Sequence, residues 1–580
     1  MTKGHVMFVL HFHLPWVLGH GKWPHGEDWL NEAAGECYLP LLQAFHRLAD
    51  SGRKNCATIG ITPVLTEQLA SPDFAKEFVD YIDLKVEAAS KDEDFFGGDG
   101  QPEMAALAFM WKDYFARIKK YFVDDIKGDV IGEFKSLQDR GVIEIITSAA
   151  THGYLPLLVD DGAINGQVRT GVENYKRRYG RAPRGFWMPE CAYRPRIDNW
   201  EEPVGEKSGP RSRPGIEKFL RESRIEYTLV DTHMIKEGVW RGTATWPPVW
   251  MDASGDPFGK TKNGLPAPMP RRGVPPPYDD GRSPYRPYEI IGSGKKARGG
   301  TCVFVRDPQT SMQVWSGMWG YPGDGRYLEF HKKHWPGGHR YWRVTDSKAD
   351  LGDKLIYNTS WAGDAIGAHV DHFLGLVGEV VESASAEVDA PPAVVCPFDA
   401  ELFGHWWFEG PRWLEAVIDK LSSDTGIVHN TLGAYIDENP PTRSITLPVG
   451  SWGEGGDFRV WLNSDTLWTW EKLYEIERRM KSLVAKASKG NPVLDRVMEQ
   501  IAREQMLLEA SDWQFLMTTG TARDYAEQRL ANHYSDTMKL ADIAESIMDT
   551  GNVEDSDMAC LEDIEKRDYC FKFIDTDWWK

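Results

Sequence analysis

Seven short, almost wholly apolar runs constrain this chain more than any other feature. They are "VMFVLHF" from Val6, "CATIGIT" from Cys56, "VIEIITS" from Val142, "GFWMP" from Gly185, "EYTLVD" from Glu226, "TCVFV" from Thr301 and "AVVCPF" from Ala393. A strand with one wet face alternates polar and apolar residues. Near-continuous apolar runs are what parallel strands need when both faces are covered. Helical patterns such as "EMAALAFMWKDYFARIKKYF" lie between them. This alternation predicts a parallel α/β barrel over residues 1–425. Two excursions interrupt it. Residues 194–225 are rich in Pro and Gly, and residues 242–300 are rich in Gly, Pro and Arg. The second is too long for a plain connection and reads as an insertion or a loop that covers a site.

Beyond about residue 425 the period becomes helical. "SDTLWTWEKLYEIERRMKSLVAKA" places Leu473, Ile476, Met480, Leu483 and Val484 on one face, with Ser464 or Asp465 as the expected cap. Two further helical stretches follow, so residues 426–580 are expected to form a C-terminal helical domain. Its acidic end, from Asp549 to "DTDWWK", is either docked or loose.

Composition narrows the function. Net charge is −20, which disfavours nucleic acid and anionic membranes as partners but not a neutral polymer. No run approaches the 18 apolar residues of a membrane span, and the N-terminus reads as a buried strand rather than a signal peptide. Seven cysteines without CxxC spacing suggest reduced thiols in a cytoplasm and no zinc site. The 24 tryptophans exceed what a core needs, since each indole N–H must find a partner. Platforms for sugar rings are one explanation, and a Trp-rich core is the other.

Chemistry-bearing residues cluster at strand ends. In "HFHLPW", His11 and His13 point the same way and would sit at the barrel mouth. Metal binding and hydrogen bonding are both open to such a pair, with hydrogen bonding favoured. His152 follows another strand end and alone reads as structural. Glu190, in "GFWMPECAY", is a strand-end carboxylate beside Trp187; the structural alternative is a salt bridge to Arg194. In "FDAELFGHWWFEG", Asp399 and Glu401 close a strand, whereas Glu409 lies where a helix starts and has a ready dipole role there. Glu190 and Asp399 facing one mouth would supply a nucleophile and an acid/base, and a separation near 5–5.5 Å would mean retention of configuration.

Taken together, "HFHLPW", "TSAATHGYLP", "GFWMPECAY", "VRDPQTSMQVWSGMWGYPGD", "FDAELFGHWWFEGPRWL", "LPVGSWGEGGDFRVWLN" and "SDWQFLMTTGTARDYAEQRL" resemble glycoside hydrolase family 57, and within it the 1,4-α-glucan branching enzymes. The resemblance implies an incomplete (β/α)7 TIM-like barrel with an inserted subdomain and a C-terminal α-helical domain. It implies Glu190 as nucleophile and Asp399 as acid/base. It further implies substrate contacts from His11, His13, His152, Arg306, Trp315, Gly323, Trp452, Trp461 and Asp512, with Trp29 a further aromatic candidate. The implied partner is an α-1,4-glucan such as amylose or a glycogen-like polymer, handled without metal or other cofactor by a monomer or weak homo-oligomer. Branching enzymes carry a loop Tyr over the site, and Tyr285 and Tyr288 are the candidates for it here. Met318 stands where an acidic residue is usual. An α-amylase or 4-α-glucanotransferase on the same scaffold is the competing expectation. A metal-dependent amidohydrolase and a catalytically silent glucan binder are more distant ones.

Overall fold

A computed structural model describes residues 2–236, 282–292, 300–317, 320–346, 348–421 and 426–580. Most of the 242–300 excursion and Met318 lie outside the described residues. All seven apolar runs form strands: β1 (Gly4–Phe12), β2 (Ala57–Ile61), β3 (Ile143–Ser148), β4 (Phe186–Trp187), β5 (Tyr227–Val230), β6 (Cys302–Val305) and β7 (Ala393–Asp399). Strands β7, β1, β2, β3 and β4 pair in parallel in that order, and β5 pairs in parallel with β6. Single bridges, Gly185 to Tyr227 and Arg306 to Val395, join the two sets. The ring therefore has seven staves and two thin seams, which is the incomplete barrel.

Every residue of β1 is buried, as a strand with helices outside and a filled interior requires. The two-residue period decides what faces inward. Met7 and Val9 pack with Ile146, Trp187, Phe304 and Val395 inside the ring, while Val6, Phe8, Leu10 and Phe12 join the core beneath the helices. His11 follows Met7 and Val9 on the inner face, and Asp399 follows Val395 in the same way. The register pairs His11 with Asp399 across β1 and β7, so both reach the C-terminal mouth together.

The seam between β6 and β7 is filled at its opposite end. The strand Tyr288–Ile290 runs antiparallel to β6, and the Tyr285 carbonyl accepts from Ala393 N where β7 begins. Tyr285 and Tyr288 are both buried. The Tyr288 hydroxyl donates to Ser283 O at 2.8 Å and the Tyr285 hydroxyl to Asp307 at 3.1 Å. Neither is a loop residue over the mouth. The turn and strand of "SPYRPYEI" make them seam-closing residues instead.

Sheet pairing continues past residue 425, with Ile427–His429 parallel to β1 and Ser444–Ile445 parallel to Tyr288–Ile290. In the 194–225 excursion, Ile197–Trp200 and Arg211–Arg213 pair antiparallel. Further on, helix Leu467–Lys486 starts later than expected: its N-cap is Thr466, with no side-chain cap bond. Helix Pro492–Leu508 ends before "EAS", and a new helix, Asp512–Thr519, starts directly after it. The terminal stretch is docked. Trp579 is buried, and Asn165 donates to the Trp578 carbonyl at 2.6 Å.

Candidate active site

A cleft of about 1180 Å³ opens at the mouth of the ring. His11, His13, His152, Glu190, Arg306, Trp315, Asp399, Trp452, Trp461 and Asp512 all line it, as does Trp29. The sequence scattered these residues over five hundred positions, and the strand ends gather them. Gly323 is the exception. It sits in the turn Tyr321–Gly323 and is not among the lining residues.

Glu190 follows β4 through a tight turn after Pro189 and adopts φ +58° and ψ 22°. Cys191 and His152 also have positive φ, +48° and +59°. Left-handed backbone is unfavourable for such side chains and persists only where the surroundings hold it. The 450–452 segment does so. Tyr193 and Gly450 exchange backbone hydrogen bonds, and Trp452 N donates to Glu190 O at 3.0 Å. That pairing delivers the Trp452 side chain, whose Nε1–H donates to Glu190 Oε2 at 2.9 Å. Ser511 Oγ donates to Glu190 Oε1 at 3.0 Å. Arg194 is occupied elsewhere, by the Pro156 and Pro214 carbonyls, so a salt bridge to it is not what holds Glu190.

The histidines form a directed chain. Burial lowers His11 and His152 well below the usual imidazole range, so both are neutral at pH 7. Ser511 gives its only proton to Glu190, so its oxygen accepts from His152 Nδ1–H at 2.9 Å. His152 Nε2 is then an acceptor, and His11 Nε2–H donates to it at 3.0 Å. The His11 ring stacks on Trp187 at 4.4 Å, nearly parallel. His13 is tied across the cleft, with Nε2 2.9 Å from Asp512 Oδ2 and Nδ1 3.1 Å from Thr62 Oγ1. His13, His152 and Asp512 lie close enough to hold a metal ion. Their nitrogens are already committed to Ser511, His11, Thr62 and Asp512, however, so the donor set fits hydrogen bonding better.

The sequence compared with known proteins fits this geometry. Residues 7–345 match Glycosyl hydrolase family 57, and residues 472–579 match the C-terminal domain described as 1,4-alpha-glucan branching enzyme, C-terminal. The chain belongs to glycoside hydrolase family 57. A 1,4-alpha-glucan branching enzyme of Thermococcus kodakarensis is 40% identical over 571 residues, which cover 98% of this chain and 78% of that protein. The crystal structure of a family 57 branching enzyme from Pyrococcus horikoshii superposes with a TM-score of 0.87 at 39% identity, covering 100% of this chain and 97% of that one. The α-amylase AmyC of Thermotoga maritima superposes with a TM-score of 0.79 at 27% identity, covering 100% and 99%.

Within this family 57 cleft the stretch after β7 divides its labour. Gly404, at φ +110°, lets the turn pass the Glu36 carbonyl, which a Cβ would strike at 1.9 Å. His405 Nδ1 meets Glu36 at 3.1 Å and Arg340 donates to the same carboxylate at 2.9 Å. Trp407 is buried against Tyr327 and Trp413, whereas Trp406 lines the cleft 6.2 Å from Trp315. Glu409 is fully buried, and its carboxylate accepts from Tyr357 at 2.6 Å and Leu328 N at 3.2 Å. It therefore pins the 324–358 segment as well as preceding the helix Gly410–Leu421. Glu401 faces the cleft.

Burial raises all three acids of the cleft. Burial pushes Glu190 up to about 7, with its two donors pulling back and the Asp512 charge adding to the rise. Burial also carries Asp399 to about 7, with the Glu190 charge as the next cause. Glu401 reaches about 8 through burial and then through Asp399. Carboxyls crowded into one dry cleft do not all ionise together. The two fixed donors favour the carboxylate form of Glu190, and the Glu190 charge favours the protonated form of Asp399.

Sequence reasoning missed Ser511. The signal was present, since Ser-Asp inside a helical pattern marks a new helix start. Ser511→Ala removes a donor from the Glu190 carboxylate, so the Glu190 pKa rises. The acid limb of the kcat/KM profile is expected to move to higher pH, with kcat/KM down about tenfold. A profile from pH 5 to 9 measures this. A lowered rate with an unmoved limb would leave Ser511 a structural role only.

Proposed function

We propose that this protein is a 1,4-α-glucan branching enzyme. It cleaves an α-1,4 linkage with retention and passes the released chain to a 6-hydroxyl, in glycogen-type glucan metabolism of the cytoplasm. The observation that carries the reading is the pair Glu190 and Asp399 in one tryptophan-lined cleft, with two fixed donors on the Glu190 carboxyl group. The relatives that align along the chain's length support the branching outcome. Free thiols, six of the seven buried, agree with a reducing compartment. No helix among the described residues is long and apolar enough to cross a membrane.

In the first step Glu190 attacks the anomeric carbon while Asp399 protonates the departing glycosidic oxygen. The shortened chain leaves, and a covalent glycosyl ester of Glu190 remains. Asp399, now a carboxylate, takes the proton of an acceptor 6-hydroxyl, whose oxygen displaces Glu190 and restores both groups. Water in the acceptor's place gives hydrolysis. Trp315, Trp406 and Trp452 offer apolar faces to the glucose rings, while Trp461 is buried behind the cleft wall, stacked on Tyr154. The His11–His152–Ser511 chain fixes the rotamer of Glu190, and Arg306, His13 and Asp512 offer partners to hydroxyls.

The test is product analysis. After incubation with amylose, proton NMR should show new α-1,6 signals, and isoamylase should release new short chains. A rise in reducing ends with no α-1,6 signal would make the protein a hydrolase and sink the branching assignment.

A further inference from the structure

Two turns from distant parts of the chain meet at Glu190. One, residues 149–153, follows β3 and carries His152 with its positive φ. The other, residues 509–511, separates two C-terminal helices and carries Ser511. Their backbones join over a short span: Ser511 N donates to His152 O at 3.1 Å, and Gly153 bridges Ala510. Left-handed backbone and one short pairing do not by themselves keep a hydroxyl in place.

A buried polar clamp lies between the two turns. Gln167 projects from the helix Asp161–Tyr179, one helical turn before Gly171. A Cβ at Gly171 would meet the Ser148 carbonyl at 2.2 Å, so glycine there lets the helix close on the end of β3. Gln167 is fully buried and uses every side-chain group. Its Oε1 accepts from Thr151 N at 3.1 Å. Its Nε2 donates to Thr151 Oγ1 and to Glu509 Oε2, both at 2.8 Å. The Thr151 hydroxyl in turn donates to the Met506 carbonyl. Gln505 Nε2 meets the other oxygen of Glu509 at 2.8 Å. Gln167 thus grips both turns, and Glu509 is its hold on the second. Buried hydrogen-bond networks rigidify what they join. None of Gln167, Thr151, Gln505 and Glu509 lines the cleft, so their route to the reaction runs through His152 and Ser511.

We infer that Gln167 and Glu509 are positioning residues for the nucleophile: they clamp the His152 turn to the Ser511 turn and so fix the hydroxyl that donates to Glu190. The inference rests on the glucan reading above. Neither residue reaches the substrate, so substrate binding does not depend on them. With the clamp cut, the Ser511–Glu190 hydrogen bond of 3.0 Å loosens. The Glu190 carboxylate then loses a donor, and its ionised form becomes scarcer at low pH.

The test compares pH profiles on amylose for the full-length protein and its variants. Glu509→Ala and Gln167→Met should each lower kcat about ten- to a hundredfold and leave KM in place. Each should also carry the acid limb of kcat/KM to higher pH, the direction expected for Ser511→Ala. Glu509→Gln should restore most of the rate. Its amide oxygen still accepts from Gln167, and a half-turn of the Gln505 amide, whose Oε1 has no hydrogen-bond partner, offers that oxygen to the new NH2 group. Burial already raises the Glu509 carboxyl, so little charge is lost. If Gln167→Met does not fold, Thr151→Val keeps the shape, drops only the shared hydroxyl, and should show the same signature at smaller size. Adding Gln167→Met or Thr151→Val to Ser511→Ala should cost little more than Ser511→Ala alone, because both act on one hydrogen bond. A lower rate with an unmoved acid limb, or losses that multiply in the double variant, would overturn the clamp and leave the network a structural part only. Wild-type protein that does not cleave amylose would overturn the glucan reading, and the positioning role with it.

Discussion

Glu190→Gln should leave a folded protein whose turnover of amylose falls by about 10⁴-fold, the scale on which removal of a covalent nucleophile acts. The amide keeps the shape of the carboxyl and still meets Trp452 and Ser511, so the fold and the cleft survive. What disappears is the charge that bonds to the anomeric carbon. A sharper version uses Glu190→Ala with azide. The anion enters the vacated space beneath the anomeric carbon and should yield a β-glycosyl azide, with partial recovery of rate. Recovery with an α-product, or a residual rate within tenfold of wild type, would remove Glu190 from the reaction.

Asp399→Asn gives the second large effect, and its signature depends on the leaving group. With amylose the departing oxygen needs a proton, and the rate should fall about 10²–10⁴-fold. With an α-glycosyl fluoride it needs none, so formation of the Glu190 ester should be far less impaired. The alkaline limb of the pH profile should vanish as well. In the wild type, rising pH removes the Asp399 proton and stops the first step. The asparagine has no proton to lose. Azide should here give an α-glycosyl azide, because it attacks the ester from the acceptor side. Equal losses on amylose and on the fluoride would contradict an acid/base role for Asp399.

The barrel was legible because its strands are covered on both faces, which writes them as continuous apolar runs. His11 and His13 were legible for a related reason, since two-residue spacing at a strand end sends both side chains to the mouth. The pairing of His11 with Asp399 was not. It depends on the register of β1 against β7, and nothing local to "HFH" or "FDA" fixes that. The Tyr285 and Tyr288 expectation failed on a competing signal: "YEI" prefers a strand, and a strand was needed to fill the thin seam. Gly323 belongs to a turn that ends short of the cleft. Glu409 was read from its helix start alone, and its bonds to Tyr357 and Leu328 come from a segment no local pattern connects to it. The tryptophan excess is now divided. Trp187, Trp407, Trp413 and Trp470 are core, and Trp29, Trp315, Trp406 and Trp452 are wall.

The interruption of the helix at residues 509–511 bears on the order in which the molecule is made. Glu190 leaves the ribosome early, but the serine that holds it lies 321 residues later. At roughly 5–20 residues per second the nascent chain carries Glu190 for some tens of seconds before Ser511 exists. Asp512, the partner of His13, arrives with it. Ser511 and Asp512 are thus made only in about the last eighth of translation, and a chain released just before that point has all seven barrel strands but neither partner.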